Sequence, residues 1–229
     1  MAMNVKKRPG KVRKSLIGLG VFAIATCSVY FPLHRIGYLP PLADLWDILC
    51  LNGCTDEDYT SIAARSFLNY DKSINQILGT DKIDKNKSSI LVEKSQYRLT
   101  LFYDKKPIKS YPVVFGSNPV EDKLKAGDKR TPEGKFKIKD LYPHAAWSKF
   151  IWLDYPTKSS WRKHLQAKRE GQINWHDSIG SEIGIHGTPD DSLIKKKSNW
   201  TLGCVSLKNK DVDELYQFVQ KGTEVEIIP

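Results

Sequence analysis

From Ser89 onward the chain is written in short apolar segments broken by turn-forming residues, and this punctuation limits the fold more than any other feature. Ser89-Ile-Leu-Val-Glu-Lys-Ser95 and Arg98-Leu-Thr-Leu-Phe-Tyr103 read as strands with a turn at Ser95-Gln96, because each is a run of strand length carrying β-branched or aromatic residues and bounded by a turn. Asp104-Lys-Lys-Pro107 turns the chain into a third strand at 108–115. A polar loop, 116–134, leads to a strand at 135–139, and 182–186 and 223–228 alternate as further strands. Short strands on tight connections predict a mainly β domain, a meander or small barrel, and not a parallel α/β sheet. Residues 140–181 carry many turn formers, several aromatics and three histidines, His144, His164 and His176, and read as a long elaborated loop. Near the end, Asp211-x-x-Glu214 has the form of a capping box. Val212, Leu215, Tyr216 and Val219 follow at helical spacing, and Gly222 is the expected stop.

The start of the chain has a different grammar. Lys6, Lys7, Arg8, Lys11, Arg13 and Lys14 precede an 18-residue stretch, 16–33, with no charged residue. As a helix that stretch would span roughly 27 Å, about the hydrocarbon thickness of a bilayer. The basic flank would stay in the cytoplasm and everything after residue 33 would lie outside. An uncleaved anchor is the expectation. A cleavable signal lacks an A-x-A-like site, and a lipoprotein signal at Cys27 would have threonine, Thr26, just before its cysteine. The basic head also accounts for most of the net charge of +10; beyond it, 30 basic residues face 26 acidic ones. No basic stripe remains to argue for nucleic-acid binding.

Four segments result: a basic cytoplasmic segment at 1–14, a transmembrane anchor or signal at 15–33, a juxtamembrane and helical segment at 34–85, and a strand-rich domain at 86–229. Within the third, Ile62, Ala63, Phe67, Leu68, Ile74, Ile77 and Leu78 predict a helix inside 56–78, stopped by Gly79. Cys50 and Cys54 are spaced for a small disulfide loop in an oxidising compartment. Spacing alone does not establish the bridge. Cys204 would then be the one unpaired thiol of the exported part.

A thiol attacks carbonyls as its thiolate and needs a base beside it. His186 ends a strand and precedes Gly187, where a side chain can project past a sheet edge; Cys204 follows Gly203, which permits close backbone approach. The N–H groups of Gly203 and Cys204 are candidate oxyanion donors. A lone cysteine is more often a small buried hydrophobe, and a strand-end histidine is more often a surface residue. Lys123, Lys125, Lys129 and Arg130 are candidates for substrate carboxylates, although a solvated loop is the commoner explanation. The tryptophans Trp147, Trp152, Trp161, Trp175 and Trp200 would serve either a cleft or the core. No H-E-x-x-H spacing joins the histidines, so no metal and no cofactor is expected.

Ile185-His186-Gly187-Thr188, a loop of over a dozen residues, and Thr201-Leu202-Gly203-Cys204-Val205-Ser206-Leu207 resemble the catalytic motif of the L,D-transpeptidase (YkuD) family. Tyr111-Pro-Val-Val-Phe-Gly116, Thr131-Pro132-Glu133-Gly134 and Gly222-Thr-Glu-Val-Glu-Ile fall in that family's order, so the resemblance covers 86–229. It implies a β-sandwich-like catalytic domain with a C-terminal helix and strand. It also implies Cys204 as nucleophile, His186 as base, Gly187 or a neighbour as the group orienting the imidazole, and Gly203 and Cys204 at the oxyanion. Arg130, Trp200, Thr201 and Ser206 would contact substrate. The substrate implied is a peptidoglycan stem tetrapeptide, opened before its terminal D-alanine to a thioester at Cys204. Transfer to an amine makes a transpeptidase; transfer to water makes an amidase or L,D-endopeptidase. A wall-binding module without turnover is the reading from another class. Leu202 and Ser206 stand where the family commonly has histidine and arginine. Asn118-Pro119-Val120-Glu121-Asp122, Gly127-Asp128-Lys129-Arg130, Asp154-Tyr155-Pro156 and Asn199-Trp200 resemble a murein-hydrolysing branch that lacks that histidine and whose activities include releasing a lipoprotein from peptidoglycan. Stem peptides, and an envelope lipoprotein, are therefore the partners implied, at the outer face of the cytoplasmic membrane.

Overall fold

A computed structural model of the chain describes residues 26–50, 67–80 and 82–229. Eight strands form one sheet: β1 (Ser88–Glu93), β2 (Arg98–Tyr103), β3 (Lys106–Pro112), β4 (Gly134–His144), β5 (Ser148–Leu153), β6 (Gly184–His186), β7 (Val205–Ser206) and β8 (Glu224–Ile228). Their spatial order is β3-β2-β1-β8-β4-β5-β6-β7. The first three make an antiparallel meander, and β8 enters beside β1 in parallel, from Ser89 against Glu224 to Glu93 against Ile228. The expected mainly β domain is therefore present, but its faces belong to one continuous curled sheet.

Two features curl it. In β4, residues 134–137 pair with β8, whereas from Ile138 onward the strand pairs with β5 across a register irregularity between Ile138 and Asp140. An extra residue there bends the strand and increases its twist. At the other end, the Val114 N–H donates to Ser206 O at 3.0 Å and the Ser206 N–H to Val114 O at 2.8 Å. The chain leaving β3, at one edge, thus pairs with β7, at the other, and nearly closes a ring. Leu99, Leu101, Tyr111, Phe115, Phe136, Ile138, Ile151, Ile185, Val205 and Ile227 are almost wholly buried and share one core. Each such side chain contributes on the order of 1.5–3 kcal/mol by leaving water.

The sequence reading is corrected in two places. Residues 140–181 are not a loop: they hold the end of β4, all of β5 and a helix, Lys158–Arg169, whose Thr157 hydroxyl caps the Ser160 N–H. That helix buries Ser160, Trp161, His164, Ala167 and Lys168, a helical stripe composed mostly of polar letters, so hydrophobic periodicity does not reveal it. The final helix runs Asn209–Phe218 and starts at Lys208, without a side-chain cap. Asp211 and Glu214 are tertiary tethers instead of a capping box. Asp211 accepts from Tyr70 Oη at 2.8 Å. Glu214 accepts from the Ile74 N–H at 3.0 Å and Tyr111 Oη at 2.9 Å, and pairs with Lys109 at 2.7 Å. Gly222 lies beyond the helix, in the turn into β8, at φ 87°.

Ahead of the sheet, the helix expected inside 56–78 comprises, among the described residues, Ile74–Leu78, with a Ser73–Gln76 capping box and a left-handed Gly79 at its end; residues 51–66 lie outside the described residues. Among the described residues no helix is long and apolar enough to cross a membrane. Most of the expected span, including residues 16–25, lies outside them; residues 26–35 are helical. Cys50 is disulfide-bonded, and Cys54 lies outside the described residues. The stretch from 34 to 50 packs on the domain. Lys158 pairs with Asp44 at 3.1 Å and Asp47 at 2.7 Å, Arg162 Nε donates to Asp47 O at 2.8 Å, and the Ile179 N–H donates to Gly37 O at 2.9 Å.

Candidate active site

The parallel pairing of β6 with β7 sets His186 opposite Ser206 and brings Cys204, one residue before β7, to the same end of the ring. Cys204 and His186 line one cavity of about 880 Å³, with Lys123, Trp147, Glu182 and Trp200 in its walls and Arg35 reaching it from the N-terminal stretch.

His186 is 2% exposed. Its Nδ1 lies 2.7 Å from Gly187 O. A carbonyl only accepts, so Nδ1 carries the proton and Nε2 is left as the free base. The Ser206 hydroxyl donates to the same carbonyl at 2.9 Å. The imidazole stacks on Trp147 at 4.3 Å between centroids, with Phe150 and Trp200 packed nearby. Burial pushes its pKa down to about 4, outweighing the Gly187 carbonyl, which acts the other way. At neutral pH the ring is therefore an uncharged acceptor. Gly187 cannot be replaced freely: a Cβ there would overlap Asn209 Oδ1 and the Trp147 carbonyl.

Cys204 is only partly covered, and its thiol donates to Glu182 O at 3.6 Å. The apolar surroundings push the thiol up to about 11, while the Gly184 N–H and the charge of Lys123 pull it down and Glu182 pushes it up. Thiol and imidazole are thus both neutral at rest. Thr201 latches the loop that carries the sulfur: its hydroxyl donates to Cys204 O at 2.7 Å and accepts the Gly203 N–H at 3.2 Å. The Gly203 N–H is therefore already engaged, which departs from the expected pair of oxyanion donors. The Cys204 N–H has no hydrogen-bond partner among the described residues. Gly203 itself sits at φ 141°, and a Cβ there would come within 2.7 Å of Arg130 O.

The four expected substrate contacts divide. Trp200 and Thr201 line the cavity, although the Thr201 hydroxyl is directed inward at its own loop. Ser206 is fully buried and bonded to Gly187 O, so it supports the base and does not face the cavity. Arg130 turns away to pair with Glu121 and to donate to Asp122 O. Its neighbour in sequence, Lys123, faces the cavity instead, held by Asp128 at 2.8 Å and Lys125 O at 3.0 Å. The structural parts played by Thr201 and Ser206, and the presence of Glu182 and Arg35 in the walls, carried no sequence signal, because each depends on what the fold brings alongside. Among the described residues no three His, Cys, Asp or Glu side chains converge as they would on a metal.

No curated protein matches the chain. Solved structures similar to it include Bd1075 from Bdellovibrio bacteriovorus, at 24% identity and TM-score 0.42, over 62% of this chain and 48% of that one. Pgp2 from Campylobacter jejuni, a helical cell shape determining protein, aligns at 24% identity and TM-score 0.43, over 61% and 46%. L,D-transpeptidase 3 from Mycobacterium tuberculosis aligns at 12% identity and TM-score 0.42, over 62% and 61%. The chain thus spans about half the length of the first two. The description of the L,D-transpeptidase catalytic domain, YkuD, matches residues 87–227, well over half of the chain, and the chain belongs to that family.

Proposed function

We propose that this protein is a peptidoglycan L,D-transpeptidase that carries a stem-peptide acyl group as a thioester on Cys204. The observation that carries the reading is the cavity shared by a partly open thiol and an imidazole whose proton is fixed on Nδ1 by Gly187 O. As the scissile carbonyl approaches, His186 Nε2 takes the thiol proton and Sγ bonds to the carbonyl carbon. The carbonyl oxygen becomes an oxyanion beside the Cys204 N–H. The C–N bond then breaks, and terminal D-alanine leaves with the proton returned by His186. An acceptor amine attacks the thioester, gives its proton to Nε2, and the thiolate leaves and is reprotonated. No cofactor is required, since every proton and electron pair is accounted for within the pair and the two substrates.

In this reading residues 86–229 form the catalytic domain outside the cytoplasmic membrane, 34–85 connect it to an anchor at 15–33, and 1–14 remain in the cytoplasm. The acyl donor is a stem tetrapeptide, the acceptor is an amine on another stem, a D-amino acid or a protein lysine, and an envelope lipoprotein is a further partner. Water as acceptor would give an amidase or L,D-endopeptidase. Leu202, an apolar side chain 76% exposed at the cavity mouth, favours keeping that second outcome, because position 202 itself offers an acceptor no ionisable group. Incubating the protein with disaccharide-tetrapeptide and weighing both enzyme and products tests the proposal. An acyl adduct on wild type, absent in Cys204→Ala, with cross-linked or exchanged peptide, is expected. Tripeptide with a free carboxylate would assign hydrolysis instead. No adduct, with equal muropeptide binding by wild type and Cys204→Ala, would overturn catalysis in favour of a binding module.

A further inference from the structure

The stretch ahead of the family domain contributes to the cavity. Gly37 O accepts the Ile179 N–H, and Gly37 lies so close to Gly180 that an added Cβ would be 3.1 Å from the Gly180 nitrogen. This contact sets Arg35 into the wall that also holds Glu182. Both side chains are exposed, and neither has an ion-pair partner among the described residues. The other lysine or arginine of that wall, Lys123, is buried and neutralised by Asp128. Ser206 offers no cation either, being buried behind His186.

A ligand bearing only a carboxylate would be drawn to Arg35 and repelled by Glu182; one bearing only an ammonium would meet the reverse. A group carrying both charges satisfies both. We infer that Arg35 and Glu182 form a recognition site for an α-amino-acid zwitterion at the mouth of the Cys204 cavity. The inference rests on the acyl-transfer reading and deepens it by naming what one of the two substrates carries. A free amino acid acting as acceptor and a stem side chain that ends in an α-amino acid share this chemistry.

The test uses full-length Cys204→Ala, with fluorescence of the cavity tryptophans as the readout. The probes are D-alanine, D-alaninamide and N-acetyl-D-alanine, together with two tetrapeptides whose third residue ends either in an α-amino acid or in a simple amine. D-alanine is expected to bind at least about fivefold tighter than either blocked form if the source is a free acceptor. The tetrapeptide with the α-amino acid end is expected to lead by a similar factor if the source is the stem. In the leading series, Arg35→Gln removes the advantage conferred by the carboxylate. Glu182→Gln removes the advantage of D-alanine over its N-acetyl form, or weakens the leading tetrapeptide at least about threefold. Lys221→Gln, on the remote Asp140 pair, changes neither. Equal binding within both series, or discrimination that survives Arg35→Gln, overturns the site. None of these measurements needs a thioester, so absent turnover would sink the acyl-transfer reading without deciding this one.

Discussion

His186 and Cys204 share a cavity but are held in opposite ways. The imidazole is enclosed by Trp147, Phe150 and Trp200, with its Nδ1 proton on a carbonyl that Ser206 also holds. The thiol sits on a loop latched by the Thr201 hydroxyl, with Leu202 standing in solvent beside it. On the proposed acyl-transfer reading, direction is fixed where a proton would be accepted on one nitrogen, and room is left where an acyl group would be built. Enclosure has an electrostatic cost: it drives both groups toward their neutral forms, so the thiolate is expected to form as substrate arrives and not before.

Breaking each half should have unequal effects. Cys204→Ala is expected to abolish the acyl adduct altogether, read by intact-protein mass, since among the described residues Cys204 is the one thiol lining the cavity. His186→Ala should lower kcat/KM by about 10²–10⁴-fold, the range for a positioned general base, with the circular dichroism spectrum unchanged. A near-wild-type rate would remove His186 from the mechanism. Titration separates the halves further. The histidine has a pKa of about 4 in the folded protein against an ordinary value of 6.5, so between those values the unfolded chain binds more protons. Stability from this group is complete above pH 6.5 and is lost as pH falls through 4, by on the order of 3 kcal/mol. In urea melts the stability difference between wild type and His186→Asn should therefore be constant above pH 6.5 and shift against wild type as pH falls toward 4; a difference that stays constant throughout would contradict the enclosed, neutral ring. For the thiol pushed up to about 11, alkylation by iodoacetamide should be slow at pH 7 and still rising past pH 9, whereas a plateau near neutrality would mean a preformed thiolate. The smallest effect belongs to the support. Ser206→Ala should cost about 1–3 kcal/mol of stability through the lost buried hydrogen bond, reduce kcat more than KM, and be partly restored by Ser206→Thr.

Much of this was legible in the chain. Short apolar runs broken by a turn over 89–103, and alternation at 182–186, located β1, β2 and β6, and the His186-Gly187 and Gly203-Cys204 pairs marked two positions that the fold brings to one cavity. What was not legible depends on partners distant in sequence. Asp211 and Glu214 have the spacing of a cap, yet Tyr70, Ile74, Lys109 and Tyr111 claim their carboxylates. The helix Lys158–Arg169 hides its buried face in polar residues because that face meets loops and the N-terminal stretch, through contacts such as His164 Nδ1 to Leu124 O at 2.6 Å. Arg130 and Lys123 are chemically similar and close in sequence, and only the path of the 116–134 loop decides which of them turns to the cavity.

The seam at Val114 and Ser206 has a consequence for how the molecule fails. The strand that follows Cys204 is two residues long and is also the piece that closes the ring, so few hydrogen bonds separate an assembled cavity from a parted one. Sheet elsewhere can persist while this clasp is undone, because the longer strands pair without it. Heat or denaturant should therefore part this clasp before it unravels the rest of the sheet.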